Sequence, residues 1–335
     1  MNYIGSKFKL SPWIFEEVTK VVGSNLSDKI FCDIFAGTGI VARTFKRHVK
    51  EIICNDMEHY SYVLNKNYIA NHLNIEKKEK FIEELNSLEL NSEGFIYKNY
   101  CMGSGSKRQY FTDYNGQKID TIRAKIEEWK TLGLIDDNIY YFLLASLLES
   151  ADKVANTASV YGAFLKHIKK PASKDLVLIS ADFTETLNSH RVYNEDSNEL
   201  IKRISGDILY LDPPYNQRQY SANYHMLNTI SLYDEFEPKG KTGLREYIRS
   251  NYCKKAEVHK SFEELIANAK FKYIFLSYNN EGLMSKEDVE RIMKKYGEYS
   301  LVTKEYKRFK ADKTENRNHK ANKTFEYLHI LVKNS

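Results

Sequence analysis

The stretch KIFCDIFAGTGIVARTFKRHVKEIICND, residues 29–56, contains two short apolar runs separated by a glycine turn and a helical segment. A strand, a glycine turn, a helix, a second strand and a terminal acid are the opening of a doubly wound α/β domain. Gly37 and Gly39 have G-x-G-x-x-A spacing, and Asp56 lies nineteen positions beyond Gly37. We therefore predict an α/β fold with a ligand site at the carboxyl ends of these strands.

The glycine turn alone leaves the ligand open. Glycines indicate that a ligand comes close to the main chain, and a carboxylate at the end of the second strand suits a ribose diol. A nicotinamide dinucleotide and S-adenosylmethionine meet both requirements equally well, and a tight turn without a ligand is a third possibility. The choice among them depends on residues elsewhere in the chain.

Further apolar runs extend the α/β pattern. GDILYLDPPY, KYIFLSYNN, YSLVTKEYKRF and TFEYLHILV predict the remaining strands, the last two as an antiparallel pair, and Ser11-Pro12 begins an amphipathic helix. Residues 58–171 interrupt the alternation with helical spacing. We predict an α/β domain from residues 1–57 and 172–335, and a mostly helical insertion at 58–171.

Composition excludes several classes of protein. With 335 residues and 42% hydrophobic content, the chain can bury a large core. The four cysteines form no C-x-x-C pair and no cluster with histidine, which predicts neither a disulfide framework nor a metal site. No apolar run approaches the roughly 18 residues of a membrane span, and the N-terminus lacks a signal-peptide core. These features predict a cytoplasmic protein without a membrane partner.

Positive charge is concentrated near the C-terminus. The formal net charge is +5, and residues 303–323 alone contain eight basic and three acidic side chains. Two interpretations remain open for this segment: a solvated loop between two strands, or a loop that contacts phosphates. On the second interpretation, Lys307, Arg308 and Lys310 bind DNA.

The tetrapeptide Asp212-Pro213-Pro214-Tyr215 ends an apolar strand and indicates the chemistry. Both prolines have restricted φ and no N–H, so the loop presents acceptors rigidly. An exocyclic amino nitrogen of a base is a poor nucleophile because its lone pair is delocalised into the ring. The Asp212 carboxylate and the Pro213 carbonyl can accept its two hydrogens, while Tyr215 stacks on the base. Because ligands of open α/β sheets bind beyond the strand carboxyl ends, this loop and the glycine turn are predicted to form one site.

With these motifs, the chain resembles the Dam-like group of N6-adenine DNA methyltransferases over nearly its full length. NYIGSKFKL, DIFAGTG, ISADF and DPPY match the family's motifs in its order. The resemblance implies S-adenosylmethionine as cofactor and a Rossmann-like, doubly wound, mostly parallel seven-stranded sheet with a helical target-recognition insertion. The cofactor contacts that it implies are Tyr3, Lys7, Phe35, Gly37, Gly39, Asp56, Asp182, Phe183 and Asp212.

A duplex DNA substrate requires that the target base be flipped out of the stack. The segment NQRQYSANYH after the tetrapeptide has amide, guanidinium and aromatic groups that suit this task, and we predict that Arg218, Gln219 and Tyr220 bind DNA. A polar loop that only shields the pocket is the alternative. The loop GSGSKRQYF in the insertion is a second candidate.

We predict an adenine-N6 DNA methyltransferase acting on double-stranded DNA, as the modification enzyme of a restriction-modification system. Its endonuclease would be encoded nearby and form no stable complex with it. Asp at position 212 favours adenine over cytosine N4, and protein and RNA methyltransferases more often have Asn there. Amino-group methylation of cytosine N4 or RNA, and a catalytically silent DNA-binding protein of the same fold, are the alternatives.

Overall fold

The computed structural model describes residues 6–307 and 323–334. Its strands are β1 Ile30–Asp33, β2 Glu51–Asn55, β3 Arg191–Tyr193, β4 Ser205–Leu211, β5 Lys270–Asn279, β6 Gly297–Lys307 and β7 Lys323–Lys333. Its α-helices are α1 Ser11–Val22, α2 Ile40–Phe45, α3 His59–Asn65, α4 Lys78–Ser87, α5 Phe95–Tyr100, α6 Asp113–Thr131, α7 Asp137–Val154, α8 Ser197–Leu200, α9 Tyr220–Asn223, α10 His225–Leu232, α11 Val258–Asn268 and α12 Lys286–Met293. A π-helical turn, Lys66–Ala70, follows α3, and a 3-10 turn spans Asn251–Cys253.

The described residues pack as two compact units. Residues 58–187 and 220–248 form the helical unit, and residues 6–57, 188–219, 249–307 and 323–334 form the sheet unit. The predicted insertion, 58–171, lies inside the helical unit, which also includes 172–187 and 220–248. Its role in target recognition stays a prediction.

All seven strands belong to one sheet of order β3-β2-β1-β4-β5-β7-β6. The pairings from β3 to β5 are parallel, whereas β7 runs antiparallel to both β5 and β6. The predicted α/β class, the seven-stranded sheet and the antiparallel closing pair are confirmed. Because only β7 is reversed, its first residues lie at the edge where the parallel strands end.

Helices cover both faces of the sheet. Successive side chains of a strand point to opposite faces, so apolar side chains on each face need a layer that buries them. Cys32, Leu209 and Ile274 are fully buried in one cluster with side chains of α11 and α12. Phe31 points the other way and stacks on Phe45 of α2, with ring centroids 4.1 Å apart. Strands buried on both faces read as continuous apolar runs, which is the pattern of the sequence.

The helical unit has a core of its own. Its buried cluster combines α3, α6, α7 and α10 with several tyrosines, among them Tyr100, Tyr110 and Tyr161. The side chains of Thr112 and Asp136 cap α6 and α7 by accepting hydrogen bonds from backbone N–H groups of the first turn. No helix among the described residues has the length and apolar content needed to cross a membrane.

Candidate active site

The carboxyl ends of β1 and β4 lie side by side. The strands pair in parallel with Cys32 opposite Leu209 and Asp33 opposite Tyr210. The glycine turn follows β1, and the tetrapeptide Asp212–Tyr215 follows β4, so both segments leave neighbouring strands at the same edge of the sheet. The structure therefore brings the two motifs together within the sheet unit, as the sequence predicted.

The glycine turn adopts backbone conformations that favour glycine. Gly37 and Gly39 have φ values of 52° and 72°, in the left-handed region. The Gly39 N–H donates to the Ala36 carbonyl at 2.8 Å, and Gly39 directly precedes α2. Because the two glycines have no side chains, a ligand can approach the main chain of the turn closely.

Asp56 follows β2 and lies against the glycine turn. Its Oδ2 accepts a hydrogen bond from the Gly37 N–H at 2.7 Å, and its backbone carbonyl accepts one from the Asn194 side chain at 2.7 Å. Phe35, at the start of the turn, packs edge to face on Tyr252 at 4.9 Å. The carboxylate and the ring thus border the turn, and their roles in cofactor binding stay predictions.

Asp212 is part of a buried ionic triad, which we define as Lys7, Asp212 and Glu326. The Lys7 ammonium lies 2.8 Å from Asp212 Oδ1 and 3.3 Å from Glu326 Oε1. The Lys7 and Glu326 side chains are 7% and 2% exposed, whereas Asp212 remains 20% exposed. The Asp212 carboxylate is therefore fixed on one side by protein and still reachable from the other.

Burial is the largest single influence on the pKa values of Asp212 and Lys7. It raises the pKa of Asp212 to about 6, against the opposing effect of Lys7, and the charge of Glu326 adds to the increase. Burial also disfavours the Lys7 ammonium, but Asp212 and Glu326 together hold the pKa of Lys7 well above its usual value. Near neutral pH, Asp212 is ionised and paired with a protonated lysine.

The rest of the tetrapeptide is anchored by main-chain and packing contacts. The Tyr215 carbonyl accepts a hydrogen bond from the Leu283 N–H at 2.9 Å, and the Tyr215 ring packs against the core of the sheet unit. Pro213 is buried. Within residues 6–307 and 323–334, no hydrogen bond uses the Pro213 carbonyl, so this oxygen can accept one from a substrate.

Two acids of this edge were missed at the sequence level. Asp33, at the end of β1, is buried, and its Oδ1 has no hydrogen-bond partner among the described residues. Burial raises its pKa well above the ordinary value, and the charge of Asp212 adds to this. The second missed acid is Glu326 of β7, which is also buried. An acid inside an apolar strand is the signal that could have identified both.

The predicted DNA-binding residues lie in different environments. Arg218 is exposed. The side-chain carbonyl of Gln219 accepts a hydrogen bond from the Ser250 N–H at 2.9 Å. Tyr220 belongs to the helical unit, and Lys307 ends β6. Arg308, Lys310 and the predicted cofactor contact Tyr3 lie outside the described residues.

The remaining predicted cofactor contacts, Asp182 and Phe183, belong to the helical unit. Asp182 is exposed and forms an ion pair with Lys78, and Phe183 packs against the core of that unit. Their contact with the cofactor stays a prediction. In the part of the chain that the structure describes, no three His, Cys, Asp or Glu side chains group to hold a metal ion.

Comparisons with known proteins agree with this site. The model of the family described as D12 class N6 adenine-specific DNA methyltransferase matches residues 3–292, which include the glycine turn and the tetrapeptide. Type II methyltransferase M.NlaIII of Neisseria lactamica is 65% identical over 99% of both chains. Type II methyltransferase M.CviAII of Paramecium bursaria Chlorella virus 1 is 41% identical over 93% of both. Type II methyltransferase M.FokI of Planomicrobium okeanokoites is 37% identical over 99% of this chain and 53% of its own.

Proposed function

The chain belongs to the D12 class of N6 adenine-specific DNA methyltransferases, and on that premise we propose that it is the modification enzyme of a restriction-modification system. The similarity to M.NlaIII, which covers 99% of both chains, supports this role. We propose further that both enzymes methylate the same DNA sequence. Modified-base mapping of DNA from cells that express either protein tests this, and different sequence contexts would refute it.

We propose S-adenosylmethionine as the cofactor. It supplies a methyl group on a positively charged sulfur. Two carboxylates, Asp56 and Asp212, lie at the carboxyl edge of the sheet beside the glycine turn, and a cationic ligand suits such an edge. The pyrophosphate of a nicotinamide dinucleotide would face these negative charges at the same place. The charge of the edge therefore favours S-adenosylmethionine over the nicotinamide alternative.

One observation carries the catalytic proposal: Lys7 holds Oδ1 of Asp212, while Oδ2 has no hydrogen bond with any described residue. A carboxylate fixed in this way can accept one hydrogen of the adenine amino group. The Pro213 carbonyl accepts the other. Both hydrogen bonds draw the nitrogen lone pair away from the ring and towards the methyl group, so that they strengthen as the transition state forms.

We propose that the base reaches this site by flipping out of duplex DNA, with Tyr215 as the stacking surface. Three further cations lie near the predicted contact Arg218. Its backbone carbonyl accepts a hydrogen bond from Cys253, and the exposed Arg249, Lys254 and Lys255 flank that cysteine in the chain. These groups form a basic surface, residues 218 and 249–255, that suits the phosphate backbone beside the flipped base.

Asp212→Ala tests the proposed function. Loss of a positioned hydrogen-bonding group lowers transfer of a tritiated methyl group to DNA by at least about a hundredfold. Affinity for S-adenosylmethionine, measured on the same protein, stays largely intact and exceeds affinity for NADPH. Asp28→Ala, which removes an exposed carboxylate of the sheet unit, is the matched control and keeps full activity. Turnover of Asp212→Ala near the wild-type rate would exclude Asp212 as the acceptor.

A further inference from the structure

Glu326 is a carboxylate buried inside an apolar strand. It is 2% exposed and lies opposite Asn279 of β5 and Lys304 of β6. Lys304 does not neutralise it, because the Lys304 amine lies over the Trp13 ring at 5.3 Å. Among the described residues, the cation within ion-pair distance of Glu326 is Lys7, at 3.3 Å. A buried charge of this kind destabilises the folded state unless it is paired, so the presence of Glu326 in the strand needs an explanation.

We infer that Glu326 is a positioning residue for methyl transfer, which holds the Lys7 ammonium on Oδ1 of Asp212 and leaves Oδ2 to the adenine amino group. This inference rests on the proposed function. Lysine has a flexible stem and a compact charge, so an opposite charge on its second side helps to fix the position of the ammonium. Glu326 Oε1 lies 3.3 Å from the ammonium and has no hydrogen-bond partner among the described residues, so Glu326 attracts Lys7 by its charge, from the buried β7 side.

Glu326 also sets the electrostatics of the acceptor. The triad contains two carboxylates and one ammonium, so Glu326 opposes the lowering of the Asp212 pKa by Lys7. The other titratable groups near Asp212 are Asp33 of β1, Tyr210 of β4 and Tyr215 of the tetrapeptide. With Glu326 charged, Asp212 is more basic and is a stronger acceptor for the amino hydrogen.

The pH dependence of single-turnover methyl transfer to duplex DNA separates this role from a purely structural one. Glu326→Gln keeps the shape and an acceptor for Lys7 but removes the charge that raises the Asp212 pKa. We expect the acidic limb of its profile to move down by about one pH unit, since a charge within about 6 Å shifts a pKa by that order. At pH 8, transfer falls about tenfold because the acceptor is less basic and Lys7 is less tightly held.

Lys7→Gln shifts the Asp212 pKa in the opposite direction and leaves β7 unchanged. It removes the ammonium that lowers the Asp212 pKa, so its acidic limb moves up by about one pH unit. Glu298→Gln is the matched control, because Glu298 is an exposed acid of the neighbouring strand β6. The acidic limb of the pH profile of Glu298→Gln stays at the wild-type position. An unmoved limb in Glu326→Gln or in Lys7→Gln would overturn the inference.

A carbon-13 NMR titration of the Asp212 carboxyl, assigned with Asp212→Asn, measures the same pKa shifts independently of methyl transfer. Shifts of the predicted signs in the free protein support the triad. If the titration shows them but wild-type protein transfers no methyl group to DNA, the proposed function has failed and the positioning role falls with it. If wild-type protein is active and the Asp212 titration is the same in all variants, only the role of Glu326 is wrong.

Discussion

At the scale of single residues, the ion pair of Lys7 and Asp212 shows how two largely buried side chains can both remain charged. Burial acts against both charged forms of the Lys7–Asp212 pair, and each charge offsets part of the cost for the other. The resemblance implied that Lys7 contacts the cofactor, and the structure places its amine 2.8 Å from Asp212 Oδ1. Its contact with the cofactor stays a prediction. The motif alone did not indicate the partner, which is 205 positions away in the chain.

Tyr215 offers a test of stacking against proton chemistry. If the ring serves as a platform for the flipped base, Tyr215→Phe keeps most of the activity, whereas Tyr215→Ala loses about 1 to 3 kcal/mol of transition-state stabilisation. Burial raises the pKa of the Tyr215 hydroxyl, which makes it a weaker acid and favours the platform role. Single-turnover methyl transfer of the two variants measures the difference. Equal and severe losses of methyl transfer in both variants would show that the hydroxyl is required and that stacking on the ring is not sufficient.

At the scale of elements, strands with apolar runs were predictable, and β3, one of the two edge strands, was not. β1, β2, β4 and β5 each contain a buried apolar run, and a polar residue ends the strand or directly follows it. β3 has only three residues, none of them buried, and gives no such signal. Its place depends on parallel pairing with β2, which is a tertiary contact.

The same distinction applies to the site. The glycine turn and the tetrapeptide are local patterns from which a function could be predicted, and the rule for strand carboxyl ends correctly placed them at the same edge of the sheet. Glu326 was missed because its position depends on the pairing of β7 with β5, which brings the start of a reversed strand to the carboxyl edge of the parallel strands. The acid inside an apolar strand was a local signal, but it did not indicate this pairing or the partner Lys7.

Helix α12 allows a prediction about stability alone. The Ser285 hydroxyl accepts a hydrogen bond from the Asp288 N–H at 3.1 Å, and Asp288 Oδ2 accepts from the Ser285 N–H at 3.3 Å, which completes a capping box. Ser285→Ala should lower the free energy of unfolding by about 1 kcal/mol in urea titrations, with no change in methyl transfer. Ser300→Ala, at an exposed serine of β6, is the control and should change neither. A loss of activity in Ser285→Ala would connect α12 to the site.

At the scale of the whole molecule, charge is unevenly distributed. The excess of five positive charges in residues 303–323 equals the formal net charge of +5, so the rest of the chain is balanced. A balanced chain attracts DNA through local groups and not through its total charge. Two segments are candidates: the basic surface at residues 218 and 249–255, and the segment 303–323, most of which lies outside the described residues.

The salt dependence of DNA binding distinguishes a phosphate-contacting segment from a solvated one. Each phosphate contact releases condensed counterion, so log K falls with log salt by about 0.9 per contact on duplex DNA. If residues 303–323 contact the backbone, the combined replacement of Lys307, Arg308 and Lys310 by Gln flattens the slope by up to about 3. It weakens cognate and noncognate duplexes by similar factors, and the methylated sequence stays the same.

The matched control for this triple variant removes the same number of charges from the opposite edge of the sheet. Lys50, Lys270 and Lys272 are exposed at the amino ends of β2 and β5, away from the carboxyl edge that holds the tetrapeptide. Beyond a Debye length of about 8 Å at physiological salt, their charges are screened from DNA bound at that edge, so their replacement by Gln should leave the slope unchanged. Equal slopes for both triple variants would refute the backbone contact. A changed methylated sequence in the Lys307, Arg308 and Lys310 variant would show instead that residues 303–323 read bases, and that target recognition is not confined to the helical unit.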